Sequence, residues 1–505
     1  MIIRILSKKL RLRFGKNAGK SHMFLYVNKI KRPVITTLLL ILLISTLCYS
    51  FINGRDYVGF VLPPQDFSFD YSQKLLQYGV NTMSPKRTDF FDKEDKETNG
   101  RYTNDPLLHL ASSSEFNFII PSNEPAYGRG VEVDGTGDVY VVGDTGYGLP
   151  LLNAYDDTHN GNSDVFIAKF SSNGSLLWST YFGGEGDDYG RNIAIDTNGN
   201  VYIAGDTTSS DFPVLNAYDT NYNGNLDAFV AKFSSNGSLL WSTYFGEEAD
   251  DTAQSISVDG DGNVYIAGYT GFSNFLVLNT YDDISECNGY DVFVTKFSSK
   301  GSLIWSNYFG GEEDDTVWDI AIDNLGNVYV TGCTSSNDFP VLDAYDNSYN
   351  GNSDIFIVKL NSDGLPLWST YFGGEGAERA YGISIDIDSN VYIAGYTVSD
   401  QFPVSETYDT TFNGVSDVFV TKFSSNGSLI WSSYLGGSNA DTAWTISVDD
   451  DGNAYIAGHT CSDDFPVLNA YNNTHNSSFE AFIAKFSSNG SLLWSTYFSG
   501  ESDDV

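Results

Sequence analysis

Cysteine is scarce in this sequence: four residues in 505, Cys48, Cys287, Cys333 and Cys461, with no C-x-x-C spacing. That excludes a disulfide framework and a cysteine zinc site, so the fold must be held by packing. The five histidines are scattered, and there is no H-E-x-x-H, no G-x-S-x-G and no glycine-rich phosphate loop. No catalytic residue is assigned, because the spacings that hydrolases and nucleotide enzymes need are missing. Methionine is down to 3, whereas Gly 49, Tyr 33, Phe 34 and Trp 8 describe a β-rich chain with many turns rather than a helical array.

Positive charge is nearly absent after the N-terminus. Residues 1–32 hold ten Lys or Arg and no acid, which leaves 17 basic groups against 65 acidic ones beyond them, a formal −48. A body so acidic repels nucleic acid and anionic lipid and concentrates cations. Long apolar runs are absent too, with one exception. Val34–Ile52, VITTLLLILLISTLCYSFI, is 19 uncharged residues, enough for a helix to cross a bilayer, where about 20 are needed. The preceding KIKRP would stay in the cytoplasm. The expected plan is a basic cytoplasmic region over 1–33, a membrane anchor or signal peptide over 34–53, a polar linker over 54–114, and an exported body.

What is present is repetition. SLLWSTYFGG (Ser175 to Gly184) returns with its tryptophan at Trp178, Trp241, Trp305, Trp368, Trp431 and Trp494, a period of 63 or 64 residues. A fixed period of this size marks a stacked or closed repeat architecture. Within one copy, NIAID and VYIAG flank the turn TNGN; a long polar connection then leads to DAFVAKF, the turn SSNG and SLLWSTYF. That makes four strands and one antiparallel sheet. The Asn-Gly of SSNG suggests a two-residue hairpin turn. The strands are apolar on consecutive positions, so both faces are covered. Small sheets covered on both faces stack face to face, and closing such a stack around an axis gives an all-β β-propeller.

Six copies are legible over 115–505, with first strands near Val131, Asn192, Ser255, Asp319, Gly382 and Thr445. A partial copy precedes them, with Phe116 in the tryptophan register, and the sequence stops at Val505 in mid-motif. Two closures are therefore expected: a six-copy ring with a flap, or a seventh blade completed by strands past Val505.

The combination IAID-x-x-GNVYIAG-x-T, SSDFP (Ser209 to Pro213), DAFVAKF and LLWSTYFGG resembles the SBBP, or seven-bladed β-propeller, repeat of bacteria and archaea. DFP recurs at Asp338 and Asp464 and becomes QFP at Gln401, while copy one has GLP (Gly148 to Pro150) and copy three NFL (Asn274 to Leu276). The resemblance implies a secreted or surface-displayed propeller with no catalytic residues.

Two first-turn motifs carry oxygen ligands at positions 1, 3 and 5: Asp259, Asp261 and Asn263, and Asp449, Asp451 and Asn453. That spacing opens a calcium loop, and Ca2+ is the one cofactor considered. Neither motif has the glutamate at position 12 that completes an EF-hand, and a tight Asx hairpin explains the same residues. Acidic segments follow each tryptophan strand, as in EGDD (Glu185 to Asp188), EEADD (Glu247 to Asp251) and EEDD (Glu312 to Asp315). They share a face with the long connections, where binding is expected. The functional expectation is a non-catalytic interaction or scaffold module that binds a protein or glycan at the cell surface. The alternatives are an extracellular carbohydrate-active lyase or hydrolase using carboxylates near the axis, and a structural spacer of the cell envelope.

Overall fold

The computed structural model of the chain describes residues 10–17, 20–27, 126–271, 278, 289–475 and 478–498. The expected membrane segment 34–53, the linker 54–114 and the partial copy over 115–125 lie outside them. In the basic region Leu10–Asn17 pairs antiparallel with Lys20–Val27, where the sequence suggested only charge. That pair belongs to a separate compact unit from the repeats.

The repeats form six four-stranded antiparallel sheets. In the second, Asp188–Ile195, Val201–Thr207, Asp227–Phe233 and Leu239–Phe245 pair in chain order. The other blades run from Ala126 to Phe182, Asp251 to Phe309, Asp315 to Phe372, Glu378 to Leu435 and Asp441 to Phe498. First strands of successive blades lie against one another, so they line the axis and the tryptophan strands lie outermost. The described repeats form a β-propeller of six blades.

The consecutive apolar residues now have their reason. In Val201–Thr207 every residue is buried. Val201 and Ile203 pack toward the first blade, with Trp178, Phe182, Phe212 and Phe229. Tyr202 and Ala204 pack toward the third, with Trp241, Ile256 and Phe293. Each large side chain removed from water in this way contributes about 1.5–3 kcal/mol.

The tryptophan is the joint between blades. The Nε1–H groups of Trp178, Trp241, Trp305, Trp368 and Trp431 donate to the carbonyls of Ser235, Ser299, Ser362, Ser425 and Ser488 in the following blade, at 3.1–3.2 Å. Those serines sit in the SSNG-type turns, whose form differs from the expected two-residue hairpin. Gly174 N–H donates to the Ser171 carbonyl at 2.6 Å, and Gly174 alone takes a left-handed φ of 78°. Leu177 is skipped in the strand register. This is a three-residue turn with a bulge. At Gly490 (φ 82°) a Cβ would also start 2.9 Å from the Trp431 ring, so a glycine is required twice over.

The first strands begin earlier than the sequence suggested, at Asp188, Asp251 and Asp315 rather than near Asn192, Ser255 and Asp319. A bulge in each hides the continuity: Gly190 pairs with Gly205 and Asn192 with Ala204, leaving Arg191 unpaired. The last acid of each acidic segment is therefore the fully buried first residue of a strand, while Glu185 and Glu312 stay exposed.

Candidate functional site

The bulge decides where the copies differ. An extra residue in one strand has no cross-strand partner, and the bulge re-aims its side chain. In chain order the bulged residues are Arg129, Arg191, Gln254, Trp318, Tyr381 and Trp444. Each is half-buried on a strand that lines the axis. Their immediate predecessors are glycine, alanine or valine and are buried.

The site has two chemically distinct halves. In blade 1 Arg129 Nε donates to the buried carboxylate of Asp144. In blade 2 Arg191 holds Asp206 through Nε at 2.5 Å and Nη2 at 3.1 Å. Such forked pairs are charge-assisted and fix orientation. Burial pushes the Asp144 carboxyl above the usual range, against the opposing pull of Arg129. Blades 4–6 supply aromatics instead. The Trp318 and Tyr381 rings meet edge to face at 5.0 Å, Tyr381 and Trp444 lie 4.6 Å apart, and Tyr396 adds a third contact to Tyr381 at 6.0 Å. Burial pushes the Tyr381 phenol up to about 12. Trp444 Nε1–H donates to His459 Nδ1 at 2.9 Å, which makes Nδ1 an acceptor, and burial lowers the His459 pKa to about 4. The imidazole is neutral at physiological pH.

Deeper along the axis a polar chain crosses blades 2–5. Asn192 Nδ2 donates to Ser255 Oγ at 3.0 Å, Ser255 Oγ to Asp319 Oδ1 at 2.8 Å, and the Ile383 amide to Asp319 Oδ2 at 3.0 Å. Three carboxylates near the axis are already engaged: Asp144 and Asp206 by arginines, Asp319 by this chain. Glu132 is different. Its pKa is pushed up to about 7 by burial, with one backbone hydrogen bond opposing.

The turn residues considered for calcium do come together within their own turns, in the geometry of an Asx hairpin. Asp259 Oδ1 accepts from the amides of Asp261 (3.0 Å) and Asn263 (2.8 Å), and Oδ2 from Asn263 Nδ2 (2.8 Å) and Tyr265 Oη (3.1 Å). Asp449 repeats the arrangement with Asp451, Asn453 and Tyr455, and Lys485 Nζ adds a contact at 3.1 Å. These hydrogen bonds hold the Asp449 carboxyl below its ordinary value, against burial, which acts the other way. No group of three or more His, Cys, Asp or Glu suited to a metal occurs among the described residues. Asp259→Ala is expected to cost about 1–2 kcal/mol in urea unfolding in the presence of chelator, because several turn donors lose their acceptor. A loss seen only with calcium present would place an ion in this turn instead.

The lysine that recurs in every third strand, from Lys169 to Lys485, is framework. Lys232 Nζ lies 4.6 Å from the centre of the Tyr202 ring, and Lys422 pairs with Asp386 at 3.1 Å. The bulge positions were the signal that the sequence reading passed over. Arg, Arg, Gln, Trp, Tyr and Trp occupy one phase of the repeat, each just after a small buried glycine, alanine or valine.

Comparison with known proteins fits this geometry. Residues 177–213, 240–275, 304–340, 367–403 and 430–466 match the beta-propeller repeat family SBBP. The repeats are SBBP repeats. Residues 341–366 also match DUF5122, described as a beta-propeller domain of unknown function. Each SBBP match opens in the tryptophan strand of one blade and closes near the DFP step of the next. Phe212 of that step is buried in the blade junction, and Tyr244 Oη donates to the Ser209 carbonyl at 2.7 Å while accepting from the Phe212 amide at 3.0 Å. The DFP step of the SBBP motif is thus structural.

Among curated proteins the SBBP chain is similar to an uncharacterized WD repeat-containing protein, L264, of Acanthamoeba polyphaga mimivirus, at 23% identity over 67% of this chain and 29% of that protein. It is also similar to the regulatory protein FlaEY of Caulobacter vibrioides, at 24% identity over 64% of this chain and 35% of that protein. The chain spans about a third of the length of these relatives. Similar solved structures include a protein of unknown function from Dyadobacter fermentans (11% identity, 68% of this chain, 93% of that one, TM-score 0.37). Another is the WD40 propeller domain of Doa1 (15% identity, 66% of this chain, 90% of that one, TM-score 0.28).

Proposed function

We propose that this SBBP propeller is a non-catalytic interaction module that binds a glycan through the axial cluster of Trp318, Tyr381 and Trp444. The observation that carries this reading is the bulge. The fold spends one half-buried position per blade on residues that differ between copies, and three neighbouring blades fill it with aromatic rings. Aromatic walls with a few fixed polar groups are the usual lining of a ligand site, and Trp and Tyr combine an apolar face with a polar tip. A sugar ring presents that same pairing of C–H face and hydroxyl edge. The Arg–Asp pairs of blades 1 and 2 supply the polar side. The bulges lie in the half of each first strand nearer the long connections, which agrees with binding at that end. Display outside the cell is part of the proposal and rests on the basic start followed by Val34–Ile52.

The test is a glycan array probed with the purified protein, followed by titration of any hit. Trp444→Ala and Tyr381→Ala are each expected to weaken binding at least about tenfold, the worth of one stacked aromatic contact. A protein that binds no glycan, or variants that bind as tightly as the parent, would overturn the reading.

A further inference from the structure

The junctions between blades hold paired carboxylates that no ion pair compensates. At the junction of blades 1 and 2, Asp164 begins a third strand and Asp188 begins the next blade's first strand, and both are fully buried. A Cβ built on Gly183 would start 2.5 Å from Asp188 Oδ2 and 3.1 Å from Asp164 Oδ1, so the two carboxylates converge on one small space. Asp354 and Glu378 do the same around Gly373, at 2.9 Å and 2.6 Å. Asp417 and Asp441 hold the corresponding places beside Gly436, which lies 2.5 Å from Asp417 Oδ1 by the same measure.

The two members of each pair are not equivalent. The first-strand carboxylate is pinned by donors. Asp188 Oδ2 accepts from the Gly184 amide (2.8 Å) and Ser209 Oγ (3.0 Å), and Asp441 Oδ2 from the Gly437 amide (2.7 Å) and Ser462 Oγ (2.9 Å). The third-strand carboxylate is held by backbone amides alone, with Gly351 and Gly414 adding a second to Asp354 and Asp417. Oδ2 accepts the amide four residues back, at 3.0 Å in Asp164, 3.0 Å in Asp354 and 2.9 Å in Asp417. The other oxygen, Oδ1, is buried without a hydrogen-bond partner in all three. Among the described residues, no Lys, Arg or His lies within salt-bridge distance of any of the six carboxylates.

Two buried negative charges with a bare oxygen facing the gap are costly as they stand. Burial, and after it the facing carboxylate, raises Asp164, Asp354 and Asp417 to about 7.

We propose that these three junctions each bind one divalent cation of the calcium class between the third-strand and first-strand carboxylates. The donors are all oxygen, which selects hard cations over zinc or copper. Two carboxylates balance a 2+ charge, and calcium accepts irregular shells completed by carbonyls and water, whereas magnesium demands a regular octahedron. The sites are distinct from the Asp259 and Asp449 turns, which lie at the opposite end of the blades, and they do not depend on the proposed glycan site.

The test uses the full chain, stripped with chelator and dialysed against calcium at pH 7.5. At least three equivalents of calcium are expected to bind, with a rise in melting temperature. The triple variant Asp164→Asn, Asp354→Asn, Asp417→Asn should lose three equivalents, and Asp261→Asn none. No uptake by the parent at millimolar calcium overturns the proposal and leaves a shared proton as the counter-charge. Uptake that the triple variant retains assigns the calcium to the acidic surface and also overturns it. Asparagine matches aspartate in shape. Should the triple variant fail to fold, each single substitution is expected to remove one equivalent, and the parent measurement decides independently.

Discussion

Trp431→Ala is expected to lower the unfolding free energy by about 3–5 kcal/mol, the range for emptying a buried tryptophan site. The indole is 1% exposed, donates to the Ser488 carbonyl at 3.1 Å, stacks on Phe486 at 6.1 Å and covers Gly490. Its removal leaves a cavity between two sheets and a serine carbonyl without its donor. Blade 5 cannot swing in to close that gap, because its position is fixed by its junction with blade 4. The internal control is Trp494→Ala. Trp494 has the same sequence context but is only half-buried. A loss less than half as large is expected there, read by urea unfolding of both variants under one condition. Equal losses would refute the assignment of the tryptophan as the joint.

A second large effect is the pH dependence of stability in chelator-containing buffer. The carboxylates fall into two populations. Junction and axial groups are raised by burial: Asp164, Asp251, Asp354 and Asp417 to about 7, Asp188 and Asp319 to about 6, Glu132 to about 7. A group whose folded pKa lies above its unfolded one stabilises the fold fully below the unfolded value, and that contribution is lost as pH rises through the folded value. For these groups stability declines from about pH 4 to about pH 7. The turn carboxylates Asp196, Asp323, Asp386 and Asp449 are lowered by hydrogen bonds that outweigh their burial. Their contribution is present above the ordinary aspartate value and is lost as pH falls below it. The melting temperature should therefore pass through a maximum near pH 4–5 and fall by several degrees toward pH 8. A curve that is flat or rising over pH 5–8 without metal would contradict the burial of these groups in ionisable form.

The architecture was legible because it is written six times. Trp178 and its equivalents gave the period, and the unbroken apolar runs such as VYIAG gave sheets covered on both faces. The Asx turns were legible because Asp five residues and Gly two residues before a strand have few other reasons to recur. Two things were hidden for one shared reason. Asp188 looked like surface acid and Arg191 like one more polar residue, because a bulge breaks the two-residue alternation on which strand reading depends. Once the bulge is placed, the aspartate moves inside and the arginine turns to the axis. The convergence of Asp164 with Asp188 joins residues of different blades. No period along the chain announces a contact whose partners belong to successive copies and face each other across a glycine.

The SBBP match that begins at Leu177 and ends at Pro213 has a consequence for how such a chain grows. It contains Trp178 and Phe182 from one sheet and Ile193, Ile203 and Phe212 from the next, much of both mating surfaces of one junction. What is inherited as a piece is therefore a fastening, complete with both of its halves, and not a plate with two unmatched sides. Duplicating that piece adds a plate already fitted to its neighbour. Copies can be gained, and the bulged residue can drift from arginine to tryptophan, without any new fit having to evolve between sheets.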